Sequence, residues 1–177
     1  MSTSLTATKP IPKGTGDRDA SFQVINGVAL MGGYAGIGAK NPDDRDTELY
    51  ETILSGDLLG NDGPGDFEDY DENSYHVVAG HGADNTATLD GFRVTSGNAN
   101  GTGDHRYGGG MYNNGGSPTV SNCTFHANSA SNKGGGMANE FGSHPIVSNC
   151  IFTGNVVAGG VSASGGGWTT RISAIQP

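Results

Sequence analysis

The chain has 177 residues, enough for one domain with a hydrophobic core; 32 of them are glycine and only 15% are charged. Its formal net charge of −9 argues against nucleic acid as a partner, because the phosphates would repel it. The sequence has no apolar run of the roughly 18 residues that cross a bilayer, which predicts no membrane insertion.

The N-terminal segment over 1–16 lacks the apolar stretch of a secretory signal, so no signal peptide is visible in this chain. We expect this segment to be disordered or partial, and a repeat domain to follow over 17–160. VALMGG at 28–33, TILSGD at 52–57 and HVVAGH at 76–81 follow one another at equal intervals. This regular spacing predicts that they occupy successive turns of a solenoid.

An acidic loop over 57–73 is the largest predicted excursion from the solenoid. It is similar to the D-x-[DN]-x-[DN]-G calcium loop, although Leu59 breaks the alternation of oxygen ligands. Two interpretations stay open, a calcium site and a solvated acidic loop, and no other cofactor is predicted. The candidate calcium ligands are Asp57, Asn61, Asp62, Asp66, Asp69 and Asp71.

The tripeptide GHG around His81 resembles the G-H-G motif of polygalacturonases, which are solenoid enzymes with the β-helix fold. Hydrolysis would also need carboxylates on neighbouring strands, and Asp84 and Asp90 are close to His81 only in sequence. Pectate lyases of the same fold use calcium with an arginine base, but nothing places Arg93 or Arg106 beside a carboxylate cluster. Because of the G-H-G motif, a polysaccharide lyase or glycoside hydrolase is kept as the alternative function.

Other histidines and the tyrosines give weaker signals. The histidines show no metal-ligand spacing and are predicted to be turn or surface residues: His76, His105, His126 and His144. The tyrosines are predicted to pack in strands and turns, the alternative being a face that stacks on sugar rings: Tyr34, Tyr70, Tyr75, Tyr107 and Tyr112.

The clearest repeat lies downstream, where GGGMYNNGGSPTVSNCTFHAN at 108–128 is nearly copied by GGGMANEFGSHPIVSNCIFTGN at 134–155. Helical periodicity is missing from both copies. The short strands and Gly/Asn/Ser turns therefore predict a parallel β-helix of five or six rungs, each rung being one turn of the coil.

A weaker copy upstream predicts the register between rungs. TLDGFRVTSGN at 88–98 aligns with TVSNCTFHAN at 119–128. The alignment places Phe92 over Cys123 and Val94 over Phe125, so apolar residues stack on apolar residues.

Side-chain alternation predicts which residues of the repeat face the core. Val120, Cys123 and Phe125 point into the coil, and their copies one period later, Val147, Cys150 and Phe152, stack on them. A disulfide between the two cysteines stays open, but stacked parallel side chains disfavour its torsion angle, so free buried thiols are predicted.

Two asparagine pairs are predicted at the corners of the coil. Asn122 and Asn149 form one pair, and Asn128 and Asn155 form the other. Asparagine tolerates left-handed backbone angles, and stacked amides can hydrogen bond along the ladder.

The repeat resembles a known family. GG-x-[apolar] followed by F-x-x-N is the signature of the polymorphic outer membrane protein repeats of chlamydiae, and the chain is also similar to secreted bacterial right-handed β-helix proteins over roughly 17–155. The resemblance implies a right-handed parallel β-helix of the pectate-lyase-like superfold, displayed outside the cell or on its surface. It also marks the tail over 161–177 as aberrant, since the pattern is lost after GGGW.

These observations predict a non-enzymatic extracellular or cell-surface protein that serves in adhesion, glycan binding or as a structural scaffold. A polysaccharide or cell-surface glycan is the expected partner. Because uncapped β-helix ends expose strand edges, end-to-end self-association is expected as well.

Overall fold

The computed structural model describes residues 16–63, 65, 67–157 and 168–169. It contains sixteen short strands in those ranges and two 3₁₀ helices, Tyr70–Glu72 and Gly103–Arg106. The strands are β1 (Phe22–Gln23), β2 (Ala29–Met31), β3 (Ile53–Ser55), β4 (Val78–Ala79), β5 (Thr88–Asp90), β6 (Arg93–Thr95), β7 (Asn98–Ala99), β8 (Met111–Asn114), β9 (Thr119–Ser121), β10 (Thr124–His126), β11 (Ser129–Ala130), β12 (Met137–Glu140), β13 (Ile146–Ser148), β14 (Ile151–Thr153), β15 (Val156–Val157) and β16 (Trp168–Thr169).

The strands form four parallel sheets that run along the sides of the coil. Sheet 1 has the order β1-β4-β8-β12-β16 and sheet 2 the order β13-β9-β5-β2. Sheet 3 has the order β14-β10-β6-β3 and sheet 4 the order β15-β11-β7. The middle rungs contribute one strand to each sheet in chain order, as β8, β9, β10 and β11 do, whereas the first rung contributes β1, β2 and β3 to sheets 1, 2 and 3. The predicted parallel β-helix is therefore confirmed. None of the described helices is long and apolar enough to cross a membrane.

The coil has about four rungs, which corrects the prediction of five or six. VALMGG, TILSGD and HVVAGH contain β2, β3 and β4, and these strands belong to three different sheets. They are therefore successive sides of the coil and not successive turns. The first rung is long, since Phe22 pairs with Val78, whereas Met111 pairs with Met137 after less than half that length of chain.

The predicted register of the middle rungs is confirmed. Phe125 lies over Val94, and Val120 lies over Leu89, as the alignment of the two segments predicts. Phe125 in turn lies under Phe152, and the two rings stack with centroids 4.7 Å apart and planes 2° from parallel. This distance is the rung spacing of a parallel ladder, so equivalent side chains fill equivalent positions in the core.

The core is a column of apolar side chains inside the coil. Its largest members, Phe125, Leu89, Met111 and Met137, are fully buried. Removing each such side chain from water contributes roughly 1.5–3 kcal/mol to folding. Their neighbours in sequence point outward, which is the alternation that the short strands impose.

A ladder of two stacked asparagines, Asn128 and Asn155, fixes the corner between sheets 3 and 4. The Asn128 side chain is fully buried, and its Nδ2 lies 2.9 Å from the Val94 carbonyl and 3.0 Å from Asn155 Oδ1. Its Oδ1 accepts a hydrogen bond from the Gly97 N–H at 3.0 Å. Asn155 Nδ2 donates to the Phe125 carbonyl at 2.8 Å. The predicted bonding between stacked amides is therefore confirmed at this corner.

The left-handed backbone positions agree with the prediction at one corner only. Asn122 and Asn149 have φ values of 52° and 51°. At the other corner the prediction was wrong, because the left-handed residues are Ala127 and Gly154, each directly before the ladder asparagine. The turn is completed one residue earlier there, which leaves the amide free to point inward and bond to neighbouring rungs.

Cys123 and Cys150 are free thiols stacked one rung apart, as predicted, but only Cys123 is buried and Cys150 is half-buried. The Cys123 N–H donates to Cys150 Sγ at 3.4 Å. The hydrogen bond shared with Cys123, together with burial, raises the pKa of Cys150, so its thiol stays protonated at neutral pH. The pair contributes to the core as small apolar side chains.

The predictions for the two chain ends can be compared with the structure only in part. The N-terminal segment predicted over 1–16 and the tail predicted over 161–177 lie largely outside the described residues. Within the tail, Trp168–Thr169 pairs in parallel with β12 and so continues sheet 1. At the other end, Phe22 and Ile53 of the first rung are about half exposed. End-to-end association stays a prediction.

We predict that Asn128→Asp destabilises the fold by at least about 3 kcal/mol, because it removes the donors of the ladder and buries a carboxylate among carbonyl groups. Urea unfolding followed by circular dichroism measures this loss. Asn149→Asp is the matched control at the exposed corner and should lose less than about 1 kcal/mol. Equal losses of unfolding free energy in the two variants would show that the asparagine ladder does not stabilise this corner.

We also predict that thiol reagents modify the native protein slowly and modify both cysteines after denaturation. Cys123 is almost fully buried, and Cys150 is a poor nucleophile because its raised pKa keeps the thiol protonated. Titration with Ellman's reagent, with and without denaturant, tests this expectation. If the denatured chain reacts with the reagent only after a reductant has been added, the two cysteines form a disulfide.

Candidate functional site

Six aromatic and histidine side chains gather on the outer side of sheet 1, around the middle rungs. We call this group the aromatic patch. Its members are Tyr75, His76, His81, His105, Tyr107 and Tyr112.

Three elements bring the patch together. Tyr112 lies in β8 next to Met111, and because Met111 fills the core, Tyr112 points to the outer side of the sheet. Below it in the ladder stands the small Ala79 of β4, which leaves space for the ring. His76 comes from the segment before β4, and His105 comes from the 3₁₀ helix between β7 and β8.

Tyr112 forms the centre of the patch and is fully buried by its neighbours. The His76 ring lies 5.0 Å from it with the planes inclined by 31°, and the Tyr107 ring lies 5.9 Å from it with the planes inclined by 29°. The His81 ring meets it edge to face at 5.3 Å. Burial of a phenol and the nearby carboxylates Asp104 and Glu140 raise the pKa of Tyr112 to about 12.

A second layer of rings extends the patch toward the first rung. The His105 ring lies 4.4 Å from Tyr75 and 5.7 Å from His76. The Arg18 guanidinium covers the Tyr75 ring at 4.1 Å. The same guanidinium donates to the Asn73 carbonyl at 2.6 Å, so this side of the patch is held rigidly.

The other side of the patch is open and polar. Tyr107 is half-buried, and Arg106 and Lys133 approach its ring at 5.7 and 5.6 Å. Lys133 also pairs with Glu140 at 2.9 Å. The result is one accessible aromatic ring bordered by side chains that can donate and accept hydrogen bonds.

His76 is the patch residue whose ionisation is most altered. It is almost fully buried, and burial lowers the pKa of its imidazole to about 4, although a hydrogen bond from Nδ1 to the Gly108 carbonyl at 3.2 Å partly opposes the shift. Neighbouring His81 and His105 lower the pKa further. His76 is therefore neutral at physiological pH.

The five tyrosines considered for a sugar-stacking face come together only in part. Three of the five tyrosines of the sugar-stacking alternative lie in the patch, whereas Tyr34 and Tyr70 lie elsewhere. The prediction that all of the histidines occupy turn or surface positions was wrong for His76, which is buried. The gathering of three histidines was missed because they are scattered in sequence, and only the register of the rungs brings them together.

The residues considered for polysaccharide cleavage do not converge. Asp90 lies on sheet 2, where it pairs with Arg45 and accepts a hydrogen bond from Ser121. Asp84 is exposed and binds within its own turn to Thr86. His81 makes no hydrogen bond or ion pair with a carboxylate in the part of the chain that the structure describes.

The arginines considered for a lyase are similarly occupied. Arg93 pairs with Glu51 at 3.2 Å beside a small pocket of about 50 Å³. Arg106 donates to the Gly103 carbonyl at 3.3 Å and borders the aromatic patch. Pockets that enclose a ligand usually exceed roughly 300 Å³, so the pocket at Arg93 is too small for a sugar chain.

The acidic loop contains a carboxylate cluster that only partly matches the predicted calcium ligands. Asp57 and Asp62 come together with Glu72, which the sequence reasoning missed, and one oxygen of each lies within 4.8 Å of the others. Asp69 and Asp71 are exposed and lie outside this cluster. The other two predicted ligands are Asn61, which is exposed, and Asp66, which lies outside the described residues.

Searches against protein-family models, curated proteins and solved structures give no match to this chain.

We predict a pH dependence of stability that arises from His76. The unfolded histidine binds a proton below pH 6.5, whereas the folded one resists protonation until about pH 4, so stability is lost as the pH falls between these values. The loss is on the order of 3 kcal/mol relative to His76→Gln, which can still donate to Gly108. Urea unfolding of both proteins at pH 7.5 and 4.5 measures it. If the unmodified protein and His76→Gln show the same pH dependence of stability, the effect does not arise from His76.

Proposed function

We propose that the chain is a non-enzymatic β-helix scaffold that binds carbohydrate at the aromatic patch. The observation that carries the proposal is the half-buried Tyr107 ring, which stands on the buried Tyr112 and is bordered by Arg106, Lys133 and Glu140. An extracellular or cell-surface setting belongs to the same proposal, because glycans are displayed there.

The chemistry of the patch suits a sugar better than a purely apolar ligand. One face of a pyranose ring is lined by C–H groups and packs on an aromatic ring, while its hydroxyls need both donors and acceptors at the rim. Lys133 and Arg106 supply donors, and Glu140 and Asp104 supply acceptors. Because Tyr112 holds Tyr107 from below, little side-chain entropy is lost when a ligand stacks on it.

A non-enzymatic role is favoured over polysaccharide cleavage. Glycoside hydrolysis needs two carboxylates facing each other across a bound sugar. Near the patch, Glu140 is ion-paired with Lys133 and Asp104 accepts a hydrogen bond from Asn114. Each carboxylate keeps acceptor sites for a sugar hydroxyl, but neither is free of partners as a catalytic acid or base would be. A lyase would need an arginine that is free to act as a base, whereas Arg93 is ion-paired with Glu51 and Arg106 donates to the Gly103 carbonyl.

We predict that Tyr107→Ala weakens glycan binding by roughly tenfold or more, because it removes the exposed stacking surface. The labelled chain is first screened on a glycan array, and the best oligosaccharide is then titrated by calorimetry. Tyr34→Ala is the matched control, since Tyr34 is an exposed tyrosine outside the patch, and its affinity should stay within twofold.

Two outcomes would overturn the proposal. One is an array on which the folded chain binds no glycan. The other is an equal loss of affinity in Tyr34→Ala and Tyr107→Ala, which would move the binding surface away from the patch. Circular dichroism of each variant confirms that the coil is intact.

A further inference from the structure

The two ends of the acidic loop meet at the side of the first rung. Asp57 follows β3, and Glu72 ends the 3₁₀ helix Tyr70–Glu72 that leads back to the coil. Asp57 Oδ1 accepts hydrogen bonds from the Gly60 and Asn61 N–H groups at 2.6 and 3.2 Å. The Asp57 carboxylate thus folds the chain back and brings Asp62 beside it.

The returning end of the loop is anchored just as firmly. Asn98 Nδ2 donates to the Tyr70 carbonyl at 2.8 Å, and the buried Tyr70 hydroxyl donates to the Ala127 carbonyl at 3.0 Å. Glu72 is therefore held next to the coil. Its position against Asp57 and Asp62 follows from two fixed chain segments and not from a freely moving side chain.

This arrangement crowds three carboxylates without a counter-charge. Asp57, Asp62 and Glu72 are each half-buried, and among the described residues none of them forms an ion pair. An acidic cluster of this kind is unfavourable to folding unless a cation joins it.

A separate observation points to a missing partner at the same place. Asn73 is fully buried, and its Nδ2 lies 3.2 and 3.1 Å from the two oxygens of Asp62, so its amide lies against the cluster. Asn73 Oδ1 has no hydrogen-bond partner among the described residues, and neither has the buried Glu72 Oε1. A buried acceptor without a partner typically costs about 1–3 kcal/mol, so two of them together need an explanation.

We propose that Asp57, Asp62, Glu72 and Asn73 form a binding site for one calcium ion. Rotation of the Asn73 amide by half a turn would direct Oδ1 toward the ion in place of Nδ2. The donors are then carboxylate and amide oxygens, which hard divalent cations prefer, with no nitrogen or sulfur ligand. Calcium suits an irregular loop site because it accepts variable geometry and completes its shell with water, whereas magnesium demands a near-ideal octahedron.

The site has a clear structural role that is independent of the proposed glycan binding. A bound ion ties the outgoing residues Asp57 and Asp62 to the returning residues Glu72 and Asn73. It therefore closes the excursion at its base and stabilises the first rung. The aromatic patch lies on sheet 1, so either proposal can fail without the other.

Calorimetry with calcium chloride on the full chain, after treatment with a chelator, tests the site. We expect one ion per chain and a rise in melting temperature with calcium. Glu72→Gln keeps the shape of the side chain and should weaken calcium binding by roughly tenfold or more, and Asp62→Asn should do the same. Asp71→Asn is the matched control, with the same loss of charge at an exposed position of the same loop, and should bind within twofold of the unmodified chain.

Three results would overturn the calcium site. The first is neither binding nor a melting shift at millimolar calcium. The second is an equal loss of affinity in Asp71→Asn and Glu72→Gln, which would indicate diffuse attraction of counter-ions to an acidic loop. The third is magnesium binding as tight as calcium binding in a parallel titration.

Discussion

The register between rungs is the constraint on which every other feature of this coil depends. Phe125 can stack on Phe152 at 4.7 Å only if the two strands pair without a slip, because a shift of one residue would turn the ring to the outside. The asparagine ladder depends on the same register, since the Asn128 amide must reach Val94 in the rung below and Asn155 in the rung above. The apolar stacking and the asparagine hydrogen bonds thus require the same register between rungs, and a shift of register would disrupt both.

The regular part of the coil could be predicted from sequence because its information is local and repeated. Alternation within TVSNCTF and IVSNCIF identifies the inward residues, and the period identifies their stacking partners. The first rung could not be predicted in this way. Its strands β2 and β3 resemble β4 in composition, yet they pair with β5 and β6. Short apolar runs in different sheets look alike, and only the lengths of the excursions between them reveal which side of the coil each one occupies.

The candidate sites were harder to predict than the core, because they join residues that local patterns leave apart. Tyr112 meets His76 only through the pairing of β8 with β4. The acidic composition of the loop over 57–73 was evident, and Asp57 and Asp62 were among the predicted ligands, but Glu72 enters the cluster only because the loop closes on itself. Composition indicates what chemistry a segment can offer, whereas closure of the chain decides which atoms meet.

The unequal rung lengths have a consequence for the order in which the coil assembles. The rung from Met111 to Met137 closes over a short segment, whereas the chain from Phe22 to Val78 is more than twice as long. Closing the longer segment costs more chain entropy, although the cost grows only with the logarithm of its length. In a solenoid each rung contacts only its neighbours, so folding begins where closure is easiest and spreads along the axis. The two regular rungs should therefore nucleate the coil, and the first rung, with its long excursions, should add to that template last.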